Sequence, residues 1–307
     1  MNFRSSLRPL LLPLVTLAVA LAPAAAPAAD EEFLAGLEAW KQWRHERLQQ
    51  PDGWLSLVGL AWLTDGENPV GSDAAATVRL PAEKAPAHVG SVRLAGGRAT
   101  FVAASGVRVT VDGEPVTTVT LRDDSAAEGP TILVHGPISF YLIERGGSFA
   151  MRIKDAESAT LREFRGLEYF PADPAWRIEG SFEPAPPGST LEVPNSVGRL
   201  ERIAQPGWVN FELAGTRHRL IALDDTGDGR LFLVFGDRTN ARETYGGGRF
   251  LYTDPPVNGR VVIDFNRAYS PPCVFTPFAT CPLPTPENKL KVRVEAGEKT
   301  YAGAAAH

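Results

Sequence analysis

The sequence predicts an all-β protein with one N-terminal helix, in which a β-sandwich is followed by a β-barrel or a second sandwich. Two observations support this fold class. Residues 30–50 form the one clear helical pattern, and from residue 77 onward short β-rich runs alternate with Gly, Pro and Asp turns about every eight to twelve residues. Regular spacing of this kind is typical of sandwiches and of meanders that close into barrels.

Residues 1–28 are expected to be a signal peptide. Two arginines precede an apolar run at 10–22, and a small-residue stretch containing Ala-Pro-Ala at 26–28 follows. This order is typical of secretory signals with an A-x-A cleavage site. A membrane anchor is the alternative, but a span needs about 20 apolar residues, and this shorter run contains Pro13. We therefore expect an exported protein, periplasmic or secreted, with no membrane anchor after signal removal.

The N-terminal helix is expected within residues 29–53. Apolar side chains recur near helical spacing, among them Leu37, Trp40 and Leu48. Acidic residues open the segment, basic residues lie toward its end, and Pro51 stops it, in agreement with the helix dipole and with proline chemistry.

A β-sandwich domain is expected at residues 54–155. After a strongly apolar stretch, 54–63, the strand candidates are 89–94, 100–103, 107–111, 116–121, 132–134, 139–143 and 149–153. An Arg-Gly-Gly sequence joins the last two, which is typical of a hairpin turn.

A β-barrel-like domain with a Pro-rich Cys loop is expected at residues 156–307. It opens with a linker-like stretch, 156–173. Its strand candidates are 176–182, 190–193, 200–204, 209–213, 219–223, 231–235, 249–252, 261–265 and 290–294.

Composition narrows the classes of function. A net charge of -5 provides no broad basic surface, so nucleic acid is not an expected partner. Two cysteines cannot build a four-cysteine zinc site, and the histidines share no ligand spacing. There is no G-x-S-x-G elbow, no H-E-x-x-H helix and no phosphate-binding glycine loop. No cofactor or metal is therefore expected, and whether the protein is an enzyme stays open.

Both cysteines, Cys273 and Cys281, lie in a stretch, 271–286, that holds six prolines. Proline fixes φ and lacks a backbone donor, so this stretch predicts a loop. Export to an oxidising compartment favours a disulfide between the two cysteines. The alternative, Cys273 as a free nucleophile, needs a neighbouring base, and no histidine is near it in sequence.

Polar and aromatic side chains accumulate at strand ends in two stretches of the second half. The candidate ligand-binding residues are Asp237, Thr239, Thr244, Tyr245, Arg249, Asp264, Asn266 and Tyr269. A three-glycine turn lets backbone amides approach a ligand, and an arginine fork beside it suits a carboxylate or phosphate.

The connection at 253–260 is short and rich in turn residues, which favours antiparallel neighbouring strands. This arrangement would bring Arg249 toward Asp264 and form one site. In the structural alternative, Asp237 and Thr239 cap a turn while Arg249 pairs with Asp264.

Residues 66–143 resemble the layout of a forkhead-associated β-sandwich. In that family an arginine after the glycine and a serine before the histidine hold phosphothreonine. Here Ser72 follows Gly71, and Ala87 precedes His88. The resemblance therefore implies a sandwich fold and argues against phosphopeptide binding.

Four segments, 51–73, 164–177, 244–251 and 264–290, together resemble the family catalogued as domain of unknown function 1684. The likeness covers nearly all of the chain after residue 28, and the segment 264–290 is the most specific. The resemblance implies one complete unit and carries no established activity.

Three functions remain from these observations. The first is binding of a small polar or anionic molecule in the C-terminal domain. The second is a hydrolase that uses the same site, with Asp264 or Asp237 as general base and Arg249 orienting an anion. The third is a cell-envelope interaction module, which predicts an exposed apolar patch on the sandwich.

Overall fold

The structure is a computed structural model, and it describes residues 28–303. The expected signal peptide lies outside the described residues except for its last position. No helix among residues 28–303 is long and apolar enough to cross a membrane.

The described chain is mostly β-structure with one long helix at its N-terminus, which confirms the predicted fold class. The helices are α1 (Ala28–Leu48) and the short α2 (Ala159–Arg162). The strands of the first half are β1 (Leu57–Trp62), β2 (Gly66–Gly71), β3 (Val78–Arg79), β4 (Gly90–Ala95), β5 (Arg98–Ala103), β6 (Thr110–Val111), β7 (Glu114–Pro115), β8 (Thr118–Leu121), β9 (Ile132–His135), β10 (Ile138–Arg145) and β11 (Ser148–Asp155). Those of the second half are β12 (Arg177–Pro184), β13 (Thr190–Pro194), β14 (Leu200–Leu213), β15 (Thr216–Asp224), β16 (Leu231–Phe235), β17 (Arg249–Thr253) and β18 (Arg260–Asp264).

The first half forms a sandwich of two sheets. One has the order β1-β11-β10-β9-β6-β7, and the other has the order β3-β2-β4-β5-β8. Their facing side chains share one buried core, in which Phe101 of β5 meets Phe140 of β10 edge to face at 5.9 Å between ring centroids. Burying rings from both sheets against each other holds the two layers together.

The second half forms a half-barrel. Its strands follow the order β17-β16-β15-β14-β12-β18, with β13 paired to β14. The interior is apolar and is completed by the C-terminal segment, which contributes Leu290, Val294 and Ala296 to the core.

The expected pairing of β17 with β18 is wrong. The two strands lie at opposite ends of the sheet order, because β17 pairs with β16 and β18 pairs with β12. The connection between them, 254–259, contains Pro255 and Pro256, which have no backbone donors for a hairpin ladder. It therefore joins the two edge strands of the sheet without pairing them.

Two other strand expectations need correction. The candidates 200–204 and 209–213 form the single strand β14, whose register shifts between Ala204 and Gly207. A bulge at that point accommodates Pro206 within the strand. From sequence, a proline at this position indicates the end of a strand.

The candidate 290–294 is an irregular segment rather than a strand, although Leu290 and Val294 are buried as predicted. Its backbone bonds are divided: the Leu290 amide donates to the Gly236 carbonyl at 2.8 Å and the Val292 carbonyl accepts from the Arg238 amide at 2.9 Å, whereas side chains bind the backbone of Val294. The Val294 amide donates to Asp237 at 3.2 Å, and its carbonyl accepts from Arg249 at 2.8 Å.

Helix α1 is fixed to the half-barrel through Arg44. Its Nε donates to Glu298 Oε1 at 2.8 Å, and its Nη2 donates to the Ser270 carbonyl at 2.9 Å. Burial would lower the pKa of Arg44, but the charge and hydrogen bond of Glu298 hold it above its ordinary value. Because Arg44 and Glu298 are both buried, this pair sets where the helix lies.

Candidate functional site

Four of the predicted site residues form a closed polar cluster inside the half-barrel. Arg249 Nη2 donates to Asp237 Oδ2 at 2.7 Å, and neither side chain is exposed to solvent. Arg249 also donates to the carbonyls of Val294 and Ala296. Burial lowers the pKa of Arg249 below its ordinary value, and the Asp237 carboxylate opposes that fall. The carboxylate partner of Arg249 is thus Asp237. The partner expected from the sequence, Asp264, does not contact it.

Thr239 and Thr244 complete this cluster. Their hydroxyls are hydrogen-bonded at 2.8 Å, and Asp237 Oδ1 accepts from the Thr239 amide at 2.8 Å. Tyr245, the next residue, packs instead against an apolar core that includes Phe250 and Cys273, and burial raises the pKa of its hydroxyl. Both oxygens of Asp237 are occupied and its side chain has no solvent access, so the structure shows no open position on this carboxylate for a substrate.

Asp264 and Asn266 lie at the other end of the sheet and fix a turn. Asp264 Oδ1 accepts from the Asn266 amide at 3.1 Å and from its side chain at 2.9 Å. The Asn266 side chain also bonds to the backbone of Asp173 in both directions. Of the predicted residues in this stretch, Tyr269 alone reaches the large cavity described next.

A cavity of about 1030 Å³ lies where α1, the sandwich, the half-barrel and the Cys loop meet. The helix contributes Trp43, the sandwich contributes Arg152, the half-barrel contributes Tyr252, and the Cys loop contributes Thr280. A volume of this size suits an organic ligand, and pockets commonly lie between structural units.

Arg152 is the unusual charge in this cavity. It lies on β11 between Met151 and Ile153, which point into the sandwich core, so its own side chain leaves the opposite face of the sheet. The sequence pattern therefore predicts a solvent-exposed arginine. The structure instead leaves it 4% exposed, because the Cys loop and Trp54 cover that face.

The hydrogen-bonding capacity of Arg152 is largely unused. Nη1 donates to the Tyr141 hydroxyl at 3.4 Å and Nη2 donates to Thr280 Oγ1 at 3.3 Å, both near the outer limit for a hydrogen bond. Nε is buried without a partner. Among residues 28–303, no carboxylate oxygen comes within 4.0 Å of this guanidinium. The nearest compensation is the ring of Trp54, 5.1 Å from the guanidinium carbon.

The Cys loop places Thr280 over Arg152. Cys273 and Cys281 are joined by a disulfide, as predicted, with their Cα atoms 6.3 Å apart. Ser196 also holds the loop, since it accepts from the Cys281 amide at 3.0 Å and donates to the Ala279 carbonyl at 3.0 Å. The disulfide thus anchors the residue that contacts Arg152.

Thr280 receives hydrogen bonds from two arginines. Besides Arg152, Arg145 Nε donates to its hydroxyl oxygen at 3.0 Å. Arg145 is charge-paired, with Asp124 Oδ2 at 2.7 Å from its Nη2. Burial would lower the pKa of Arg145, but Asp124 holds it above its ordinary value. Because the Thr280 oxygen already accepts twice, its own proton is available to a ligand oxygen.

Aromatic side chains of the half-barrel line another wall of the cavity. Phe232 and Tyr252 stack with ring centroids 4.8 Å apart, and Phe250 meets Phe232 edge to face at 4.9 Å. The Tyr252 hydroxyl donates to Asp225 Oδ2 at 2.6 Å, which fixes the ring. Burial raises the pKa of Tyr252.

Asp225 is the titratable group at the mouth of the cavity. It is accessible to solvent on one side, but the surrounding protein removes part of its hydration, which raises the pKa of its carboxyl. The hydrogen bond from Tyr252 opposes this rise. An acid perturbed in this way beside a cavity is typical of functional sites.

Sequence reasoning missed Arg152, Thr280 and Trp43, although each sits in a segment singled out for other reasons. An arginine between apolar neighbours of a central strand is the signal that could have drawn attention to position 152. The pattern did not show which chain segment would cover it.

Comparisons with known proteins give one family match and several similar structures. The model of the family described as "Protein of unknown function (DUF1684)" matches residues 162–299. The solution NMR structure of an uncharacterized protein of Haloarcula marismortui is 31% identical, over 46% of this chain and 80% of that chain, with a TM-score of 0.39. No curated protein matches the sequence.

Forkhead-associated domains also occur among the similar structures. One is the FhaA FHA domain in complex with an intracellular domain of another protein, and the other comes from work on phosphothreonine-dependent FHA interactions. Each is 19% identical over 31% of this chain, with a TM-score of 0.22, and the match spans 97% and 92% of their own chains. Similarity at this level says nothing about what the present chain binds. The match of residues 162–299 to the model of the DUF1684 family of proteins of unknown function agrees with the family resemblance seen in the sequence.

Proposed function

We propose that the protein is an exported binding protein for a small anionic molecule, which it holds in the cavity between α1, the sandwich and the half-barrel. The observation that carries the proposal is Arg152, a buried guanidinium with no carboxylate partner among the described residues. Its Nε is unpaired, as is that of Arg249, so the missing carboxylate is what distinguishes Arg152.

Burying a charge costs several kcal/mol, so buried cations are normally paired. Among residues 28–303, the two other buried arginines follow this rule, since Arg44 pairs with Glu298 and Arg249 pairs with Asp237. Contact with Trp54 offsets only part of the cost at Arg152, because a cation–π contact contributes about 0.5 to 2 kcal/mol. An anionic ligand would supply the missing counter-charge.

The chemistry around Arg152 suits a carboxylate or a phosphate. A guanidinium offers planar, paired donors that match such groups, and the Thr280 hydroxyl adds a further donor beside it. Lys154 lies on the same side, 5.6 Å from the Trp54 ring, and adds positive charge.

This position differs from the one expected from sequence, which lay within the C-terminal domain. The predicted residues Asp237 and Arg249 neutralise each other's charge, so a ligand would have to break a buried ion pair to bind there. At Arg152 no such pair has to be broken.

Export is supported by the order of residues 1–28 and by the disulfide, which persists in oxidising compartments. The interaction-module alternative gains no support from the sandwich, because its two exposed large apolar side chains, Val102 and Ile132, lie on different sheets among the described strands.

Thermal unfolding with added anions tests the proposal. We expect millimolar phosphate, phenyl phosphate or benzoate to raise the Tm of the mature protein. Occupancy at about 100 times Kd stabilises by about 2.7 kcal/mol. Arg152→Gln should abolish this rise.

Arg199→Gln is the matched control. Arg199 also lacks a carboxylate partner among the described residues, and its guanidinium lies 3.9 Å from the Trp62 ring, but it does not line the cavity. An equal loss of anion stabilisation in both variants would contradict a site at Arg152.

A further inference from the structure

The apolar side chains of the cavity are more extensive than an inorganic anion requires. Three of the six tryptophans of the chain, Trp40, Trp43 and Trp54, line it. Trp43 is 57% exposed, although an indole is normally largely buried. Exposed aromatic surface inside a concave site is typical of a surface that a ligand covers.

The volume of the cavity also indicates a ligand larger than an inorganic anion. A water molecule takes about 30 Å³, and a phosphate or sulfate ion is only a few times larger. The cavity of about 1030 Å³ would be left mostly empty by such an ion. Its size is that of pockets that bury most of a drug-sized organic molecule.

The wall formed by Phe232 and Tyr252 is rigid before any ligand binds. The two rings are nearly parallel, with an interplanar angle of 16°, and Asp225 holds the Tyr252 hydroxyl. A preformed flat surface reduces the entropy lost on binding a flat molecule.

We propose that the occupant is an organic anion with an aromatic or similarly flat apolar body. Its phosphate or carboxylate group binds Arg152 and Thr280, and its body packs against Trp43 and Tyr252. This inference rests on the proposed function, because it places the anionic group at the same arginine, and it adds the class of ligand.

Calorimetric titration of the mature protein with matched pairs of anions tests the ligand class. The pairs are phosphate with phenyl phosphate, and acetate with benzoate, so that each pair differs by one ring. We expect the ring to tighten binding by about tenfold or more, since burying a ring of this size removes substantial apolar surface from water. The pair that binds more tightly identifies phosphate or carboxylate as the anionic group.

Trp43→Ala tests the position of the ring. Because Trp43 is exposed, the variant should fold normally, and it should lose most of the tenfold preference for phenyl phosphate while retaining its affinity for phosphate. Leu34→Ala is the matched control, since Leu34 is a 42% exposed apolar residue of the same helix outside the cavity. Tryptophan fluorescence gives a second measurement: the blue shift that phenyl phosphate produces in the wild type should be reduced in Trp43→Phe.

The outcomes separate this inference from the proposed function. Equal affinity for phosphate and phenyl phosphate, with both lost in Arg152→Gln, would overturn the organic body and leave anion binding intact. A ring preference that survives both Trp43→Ala and Tyr252→Leu would overturn the assigned wall. Absence of binding by all four anions at millimolar concentration would overturn both proposals.

Discussion

Arg152 and Arg249 are both buried guanidinium groups, yet their surroundings differ. Arg249 has the Asp237 carboxylate and two backbone carbonyls around it. Arg152 has two long hydrogen bonds to hydroxyls and no carboxylate within 4.0 Å among the described residues, while the Nε of both arginines is buried without a partner. At the scale of single residues, this contrast is the reason for assigning Arg249 to the stability of the fold and for proposing Arg152 as the anion site.

Replacing Arg249 should therefore damage the fold. Arg249→Met leaves Asp237 buried without its counter-charge, and removing one member of a buried pair costs about 3 to 5 kcal/mol. Urea unfolding followed by circular dichroism measures this loss. Arg238→Met is the control, because Arg238 is an exposed arginine of the same turn region. A loss below about 1 kcal/mol, the value typical of an exposed ion pair, would contradict the role given to Arg249.

The raised pKa of Asp225 sets the sign of its pH dependence. The folded state binds the proton more tightly than the unfolded state, so the stability that Asp225 contributes is present below its ordinary pKa of 3.8. That contribution is lost as pH rises through the folded pKa. Tyr252→Phe removes a hydrogen bond to the carboxylate and should raise the pKa of Asp225 further. Carbon-detected NMR titration of the Asp225 carboxyl measures both values, and a lower pKa in the variant would contradict this arrangement.

At the scale of elements, local patterns predicted much of the fold. Residues 231–235 were predicted to be a strand with the bounds of β16, because five apolar residues stand between turns. Helix α1 was recognised from its charges and apolar spacing. The predictions of strands are wrong where tertiary contacts, rather than the local sequence, determine the backbone structure. Pro206 lies in a bulge of β14, and the alternating run 290–294 forms only scattered backbone bonds to residues 236 and 238, with the Val294 backbone bound by side chains.

The Cys loop contributes both to the stability of the fold and to the proposed anion site. Replacing Cys273 and Cys281 by serine should cost about 2 to 3 kcal/mol, because a short closed loop is released in the unfolded chain. It should also weaken binding of phenyl phosphate, since Thr280 adjoins Cys281 and contacts Arg152.

Denaturation with and without reductant, followed by titration, measures both effects. Mass spectrometry of the exported protein without reductant provides the control. Two free thiols there would contradict the disulfide.

At the scale of the whole molecule, the cavity depends on parts that are far apart in the chain. Trp43, Arg152, Tyr252 and Thr280 come from α1, β11, β17 and the Cys loop. Sequence spacing predicts which residues lie close together within one element or hairpin. It could therefore indicate the polar cluster around Asp237 and Arg249. It could not indicate that the Cys loop would cover one face of the sandwich. The domain boundary at residue 155 stays a prediction.

The most direct test of the account is the unfolding free energy of Arg152→Met in phosphate-free buffer, compared with wild type. Methionine fills similar space without a charge, and replacing a poorly compensated buried cation by an apolar group is often neutral or stabilising. We therefore expect Arg152→Met to be as stable as wild type or more stable, while phenyl phosphate no longer stabilises it. A loss of about 3 kcal/mol or more without ligand, comparable with Arg249→Met, would show that Arg152 holds the fold together and would contradict its assignment as the anion site.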